Sequence, residues 1–303
     1  MGPVIALLAP GQGSQTPGML APWLDEPEGE KQLSAWSEVA GLDLVRLGTT
    51  ASAEEIRDTA VTQPLVVAAS LLAAARLDGR VPAGAPVAGH SVGEIAAAAV
   101  AGVLTPDDAV AFAAVRGREM AAACALEETG MSAVLGGDPD AVLARLAELG
   151  LDAANRNGAG QVVAAGPVAA LAALADGPPE KARVVPLAVA GAFHTRFMAP
   201  AQEALRAHAA GVTAHDPARP LLSNADGAVV GDGAEALRRL VDQVTRPVRW
   251  DACMDRLRDL GVTATAELPP AGALTGLVKR ALKGTATTAV RTPADLEKIG
   301  ARS

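Results

Sequence analysis

Five residues, Gly89-His90-Ser91-Val92-Gly93, carry the strongest chemical signal in the sequence. A short apolar approach, Val87-Ala88, leads into them, and an Ala-rich run, Glu94–Ala99, leads out. A serine between two glycines at a strand-to-helix turn fits a nucleophile elbow. Side chains larger than Gly two residues either side of the serine would clash, and the helix that follows favours a developing oxyanion at its N-terminus. A Gly-rich turn with no chemical role is the competing reading of the pentapeptide alone.

A serine nucleophile needs a base, and the sequence offers four histidines. His90 adjoins the serine, so its side chain should point away from the line of attack. His208 falls in a predicted helix as a solvated residue. His215, ahead of Asp216-Pro217, reads as a turn residue. His194 sits in Gly191-Ala192-Phe193-His194-Thr195, just after an apolar strand, where α/β folds place catalytic groups, and is the predicted base. Asp216, Asp226, Asp251 and Asp255 are candidates to orient it, and periodicity does not choose among them. A backbone carbonyl can also fix the tautomer.

Arg116, in Ala113-Ala114-Val115-Arg116-Gly117, is a cation on an otherwise apolar helix. Burying it is costly without a partner. That partner is either Glu94 or Glu119 in a structural ion pair, or a substrate carboxylate gripped by both guanidinium nitrogens. The sequence leaves the two level. Gly11-Gln12-Gly13-Ser14-Gln15, after the first strand, lacks the Gly-Lys-Ser/Thr ending and the Gly-x-Gly-x-x-Gly spacing of phosphate loops. It suits a second oxyanion donor, or a plain turn.

The elements that must hold these residues alternate. Strands are predicted at Val4–Ala9, at the approach to the elbow, at Pro220–Asn224 and at Val262–Leu268. Helices are predicted at Gln63–Leu77 (with Pro64 in its first turn), after the elbow, at Asp107–Cys124, at Ala199–Ala210, after Trp250 and at Leu274–Leu282. Between them the rhythm changes: strand Met131–Leu135, helix Asp138–Leu149, strands Leu151–Asn155 and Gln161–Ala165, helix Pro167–Ala175, strand Val184–Val189. That β-α-β-β-α-β order is ferredoxin-like. The expected fold class is therefore α/β, with a large α/β-hydrolase-like part at 1–125 and 191–303 and an inserted ferredoxin-like part at 126–190.

The chain has 303 residues, half of them hydrophobic and a fifth charged, which suits a folded chain with a sizeable core. With three Phe, three Trp and no Tyr, that core must be built from Ala, Val and Leu. A net charge of −8 argues against nucleic acid as a partner. The apolar start lacks a basic region and reads as a buried strand rather than a signal peptide, and no run is long enough to span a bilayer. Cys124 and Cys253 form neither a disulfide framework nor a metal-ligand pattern, so a cytoplasmic location is expected.

Taken in order, the motifs resemble the malonyl-CoA:acyl carrier protein transacylases, loading enzymes of fatty-acid and polyketide synthesis. The resemblance covers nearly the whole chain. It runs through Gly-Gln-Gly-Ser-Gln at 11–15, Gly-His-Ser-Val-Gly-Glu at 89–94, Arg-Gly at 116–117 and Asn-Gly-x-Gly-Gln at 157–161. It continues through Ala-Phe-His-Thr at 192–195, Pro-Val-Arg-Trp at 247–250 and Leu-Thr-Gly-Leu at 274–277. It implies that Ser91 is acylated, that His194 is its base, and that the backbone N–H groups of Gln12 and Val92 hold the oxyanion. It implies that Arg116 binds the malonyl carboxylate, that His90, Phe193 and Gln161 bind substrate, and that the backbone carbonyl of Arg249 orients His194. Phe193 is similar to the malonyl-selective pattern and would crowd a 2-methyl group.

The resemblance further implies malonyl-CoA as substrate, a holo acyl carrier protein as partner, no bound cofactor or metal, and a monomer. Lys279, Arg280, Lys283 and Arg249 are candidates for meeting an acidic carrier. One departure is Pro269-Pro270-Ala271, where the family has Gly-Pro-Gly, with a possible change of loop shape near the substrate entrance. The alternatives are an acyltransferase for another extender unit, a serine hydrolase of acyl thioesters, and a non-catalytic docking protein.

Overall fold

Strand β1 (Ile5–Ala9) is buried along its whole length, because both of its faces are covered. Ile5, Leu7 and Ala9 enter one hydrophobic core while Ala6 and Leu8 enter another, as a side-chain period of two requires. The computed structural model describes residues 2–77 and 79–299. Its strands after β1 are β2 (Val87–Gly89), β3 (Thr129–Gly136), β4 (Asp152–Gly158), β5 (Gln161–Pro167), β6 (Ala182–Pro186), β7 (Leu221–Leu222), β8 (Val229–Val230), β9 (Ala264–Glu267) and β10 (Ala286–Ala289).

They form two sheets. A six-stranded sheet has the order β10-β9-β1-β2-β7-β8, parallel except for the β7–β8 pair. A four-stranded antiparallel sheet has the order β4-β5-β3-β6. Helices Pro139–Glu148 and Val168–Asp176 bury Val142, Leu146, Leu171 and Leu174 against Val134 and Ala164 on one face of that sheet. Met131 and Val163 on its other face join the main core. The fold is α/β, with the second sheet built as β-α-β-β-α-β.

Two helices frame the elbow. The helix at Thr59–Ala74 starts earlier than the sequence predicts, because Asp58 caps it by accepting from Ala60 N at 2.8 Å. Pro64 therefore lies beyond the first turn, not within it as expected. The helix at Pro106–Cys124 is capped by Thr105, which accepts from Asp108 N at 3.1 Å. The two helices pack closely at Gly117, where a Cβ would stand 2.8 Å from the Thr59 carbonyl oxygen. That contact carries Arg116 inward.

The sheets are stitched together by backbone. Asn155 of β4 forms a parallel bridge with Val248, with Arg156 N–H donating to Val248 O at 2.9 Å and Val248 N–H to Ala154 O at 2.8 Å. The cleft between them is thereby closed along one side.

Candidate active site

Ser91 leaves β2 with φ +54°, in the left-handed region that non-Gly residues seldom occupy. The turn tolerates nothing but glycine around it. A Cβ at Gly89 would lie 2.0 Å from Gly93 O, and one at Gly93 would lie 2.2 Å from Ala9 O. Asn224, just past β7, braces the turn. Its Oδ1 accepts from Ser91 N at 2.9 Å and its Nδ2 donates to Gly89 O at 2.6 Å.

His194 is buried and also has a positive φ, +62°. Its loop is anchored by Ala192 N–H donating to Thr129 Oγ1 at 3.0 Å and by Thr195 Oγ1 donating to Ala192 O at 2.7 Å. The ring spans nucleophile and orienter: Nε2 is 2.7 Å from Ser91 Oγ, and Nδ1 is 2.9 Å from the backbone oxygen of Gln243. A carbonyl only accepts, so Nδ1 carries the proton and Nε2 faces the serine as acceptor.

The orienting carbonyl is thus Gln243, not Arg249. Gln243 opens a short 3-10 turn after the helix Gly233–Asp242, and its oxygen accepts from Arg246 N at 3.2 Å as well as from the ring, one on each lone pair. The Arg249 oxygen is taken by Cys253 N at 3.1 Å, at the start of the helix Trp250–Asp259. None of the four candidate aspartates reaches the ring. Asp226, Asp251 and Asp255 pair with Arg239, Arg249 and Arg258, and Asp216 accepts from Gly233 N.

Arg116 is 1% exposed and forms no ion pair among the described residues. Its partners are neutral: Nη1 donates to Gln63 Oε1 at 2.6 Å and Nη2 to Gln243 Oε1 at 2.8 Å, with Ser91 Oγ 3.4 Å from Nη2. Nε is shielded from water and has no partner. Of the two partners considered in the sequence, Glu119 instead pairs with Arg118, while Glu94 acts on Arg116 only through its field.

Gln12, His90, Phe193 and Gln161 join Ser91, Arg116 and His194 around a cavity of about 220 Å³. The His90 Nε2 lies 2.8 Å from Asn157 Oδ1, and its ring packs edge-on to Trp250. No hydrogen bond among the described residues occupies the backbone N–H of Gln12 or Val92. Arg249 pairs with Asp251 outside this cavity. The Pro269–Ala271 loop is buried, held by Ser70 Oγ donating to Pro269 O at 2.8 Å, and does not line the cavity. His208 is half-buried against Phe112 rather than solvated. Among the described residues there is no cluster able to hold a metal, and no helix long and apolar enough to cross a membrane.

Sequence reasoning overlooked Gln63, Asn224 and Gln243. Each is a buried polar residue beside apolar neighbours, and a buried amide in such a setting signals a required hydrogen bond.

Burial sets the electrostatics. It lowers His194 to about 3, helped by the nearby Arg116 charge and opposed by the bond to Gln243. It lowers Arg116 to about 9, still a cation at neutral pH, while Glu94 opposes the shift. It raises Glu94 to about 7 against the pull of Asn224, Gln243, Ser223 and Arg116. His90 is lowered by burial. The site therefore offers a neutral imidazole, a hydroxyl and a fixed cation at neutral pH.

Comparison with known proteins shows what the whole chain is similar to. A family model described as "Acyl transferase domain" matches residues 7–296. The malonyl CoA-acyl carrier protein transacylase of Mycobacterium tuberculosis (strain ATCC 25618 / H37Rv) is 61% identical over 299 residues, covering 98% of this chain and 99% of that protein. The crystal structure of MCAT from Mycobacterium tuberculosis superposes with a TM-score of 0.95 at 61% identity, covering 98% of this chain and 99% of that one. A malonyl-transacylase solved in complex with its type II PKS acyl-carrier protein superposes at 0.89 with 31% identity, covering 97% and 98%.

Proposed function

The chain belongs to the acyl transferase domain family, and on that premise we propose that it transfers a malonyl group from malonyl-CoA to the phosphopantetheine thiol of an acyl carrier protein. It is an acyltransferase of the malonyl-CoA:acyl carrier protein transacylase type, serving fatty-acid or polyketide synthesis. The observation that carries the malonyl reading is Arg116: a buried guanidinium with no acidic side chain paired to it, 3.4 Å from the Ser91 hydroxyl. A cation in that place suits an acyl group that carries its own carboxylate.

Ser91 attacks the thioester carbonyl while His194 takes its proton. The backbone N–H groups of Gln12 and Val92 receive the oxyanion, each donor being worth about 3 kcal/mol of barrier. His194 then gives the proton to the departing CoA thiolate. The carrier thiol enters the same site, loses its proton to His194 and attacks the malonyl-serine, so the kinetics are ping-pong. His90, Phe193 and Gln161 wall the acyl chamber. Residues 126–190 act as an inserted ferredoxin-like unit that closes the chamber over 1–125 and 191–303. Exposed Lys279, Arg280 and Lys283, which form no ion pairs among the described residues, offer positive charge to the carrier, and the enzyme works as a monomer.

Intact-mass spectrometry after mixing with malonyl-CoA tests the reading. A malonyl adduct that passes to added holo carrier protein is expected; prompt release of free malonate without transfer would make the protein a hydrolase.

Two substitutions test the acyl chamber. Arg116→Ala should lower kcat/KM for malonyl-CoA by about 10- to 100-fold, the value of a charge-assisted hydrogen bond, and leave acetyl-CoA far less affected. Unchanged preference in paired kinetics would defeat the carboxylate clamp. Phe193→Ser should admit methylmalonyl-CoA, read as a methylmalonyl adduct. No gain would place the discrimination elsewhere.

A further inference from the structure

Glu94 is a buried carboxyl one turn beyond the nucleophile that touches neither the attacking hydroxyl nor the base. One of its oxygens accepts from the backbone N–H of Asn224 at 2.9 Å, and the other accepts from Gln243 Nε2. That same nitrogen donates to Ser91 O at 3.0 Å and lies 3.2 Å from Asn224 Oδ1. The Gln243 amide oxygen consequently turns to the other side, where Arg116 Nη2 donates to it at 2.8 Å.

A carboxylate can only accept hydrogen bonds, whereas an amide can present either end. Glu94 and the Ser91 carbonyl together hold the NH2 end of Gln243 on their side and so turn its oxygen to Arg116. We propose that Glu94 is a specificity-determining positioning residue: by helping the Ser91 carbonyl fix the polarity and place of the Gln243 amide, it holds the Arg116 guanidinium in the orientation that receives the acyl carboxylate. The inference rests on the reading of Arg116 as that clamp.

Two features make the relay directional. The Asn224 N–H belongs to the backbone and cannot turn over, so it pins one oxygen of residue 94. Gln243 holds His194 through its backbone oxygen, so its side-chain oxygen serves Arg116. In its ionised form Glu94 also offsets part of the cost of burying the guanidinium.

Glu94→Gln keeps shape and volume. The oxygen of the new amide stays with Asn224 N–H, so its NH2 meets the NH2 of Gln243. Either the two nitrogens push apart, or Gln243 turns over and sets its NH2 against Arg116. In the first the acceptor is shifted off the guanidinium, and in the second a donor replaces it.

The test measures serine acylation and transfer with malonyl-CoA and acetyl-CoA in four proteins: wild type, Glu94→Gln, Glu94→Asp and Arg116→Ala. In Glu94→Gln the malonyl-to-acetyl ratio of kcat/KM should fall about tenfold, mainly through the KM for malonyl-CoA, corresponding to one weakened charge-assisted bond. Glu94→Asp, still acceptor-only, should recover part of that ratio. A wild-type ratio in Glu94→Gln, while Arg116→Ala loses it, overturns the role of Glu94. An equal fall for both donors with a lowered melting temperature marks a purely structural residue and also overturns it. A wild-type ratio in Arg116→Ala removes the clamp itself, and the inference with it. If Glu94→Gln does not fold, Gln243→Leu removes the amide but keeps the backbone carbonyl, and it must show the same selective loss.

Discussion

Ser91→Ala should yield no malonyl adduct by intact mass and lose transfer by a factor of about 10⁴ or more, the scale seen when a serine nucleophile is removed. The loss follows from the ping-pong route: without the hydroxyl there is no covalent station between the two thioesters. Folding should survive. The turn is held by Asn224 on the Ser91 N–H and by the close approach of Gly89 to Gly93, neither of which uses the Oγ. Alanine also meets the positive φ at much the same cost as serine. A melting temperature close to wild type with no adduct is the expected pair of results. Adduct formation by the Ala variant would mean another nucleophile.

His194→Ala should lower acylation by about 10³-fold or more while leaving substrate binding largely in place. The serine would then depend on water to take its proton. A second signature concerns pH. The imidazole works in its neutral form, and burial beside Arg116 keeps its pKa near 3. It thus stays neutral as the pH falls from 8 to 5, where an ordinary imidazole of pKa about 6.5 would become protonated and idle. With acetyl-CoA as donor, the acylation rate of the wild type should show no acidic limb near pH 6.5. Such a limb, absent in His194→Ala, would refute the shielded imidazole. On the proposed clamp, a malonyl carboxylate on Arg116 would offset the repulsion that, after burial, helps hold the ring neutral.

The elbow was legible because its constraint is local. Two glycines flanking a serine, an apolar strand before it and an Ala-rich run after it encode one turn, and the Cβ clashes at Gly89 and Gly93 are the physical content of that pattern. The β-α-β-β-α-β order was legible from alternation and turn residues, with ends shifted by a few residues; β6 stops at Pro186, short of the expected Val189. The helix Gly233–Asp242 was open to sequence reading, since Asp232 caps it by accepting from Glu235 N, but it received none. The orienter of His194 was not legible. Main-chain carbonyls carry no residue signature, and choosing Gln243 over Arg249 required knowing which oxygen the fold brings within reach of the ring. The partners of Arg116 were hidden for a related reason: Gln63 and Gln243 stand 53 and 127 positions from it in the chain.

The backbone stitch between β4 and Val248 bears on how cargo gets in. With Ala154, Asn155 and Arg156 laced to that segment, the small sheet cannot swing away like a jaw without breaking two main-chain hydrogen bonds. The cavity beside Ser91, about 220 Å³, has room for an acyl tip and none for a nucleotide or a protein. On the proposed function, what passes would be a slender flexible arm with its load at the tip, while the bulky body behind it, nucleotide or protein, would stay outside. Such an aperture inspects only the tip, so one chamber can serve two carriers that share nothing but the arm.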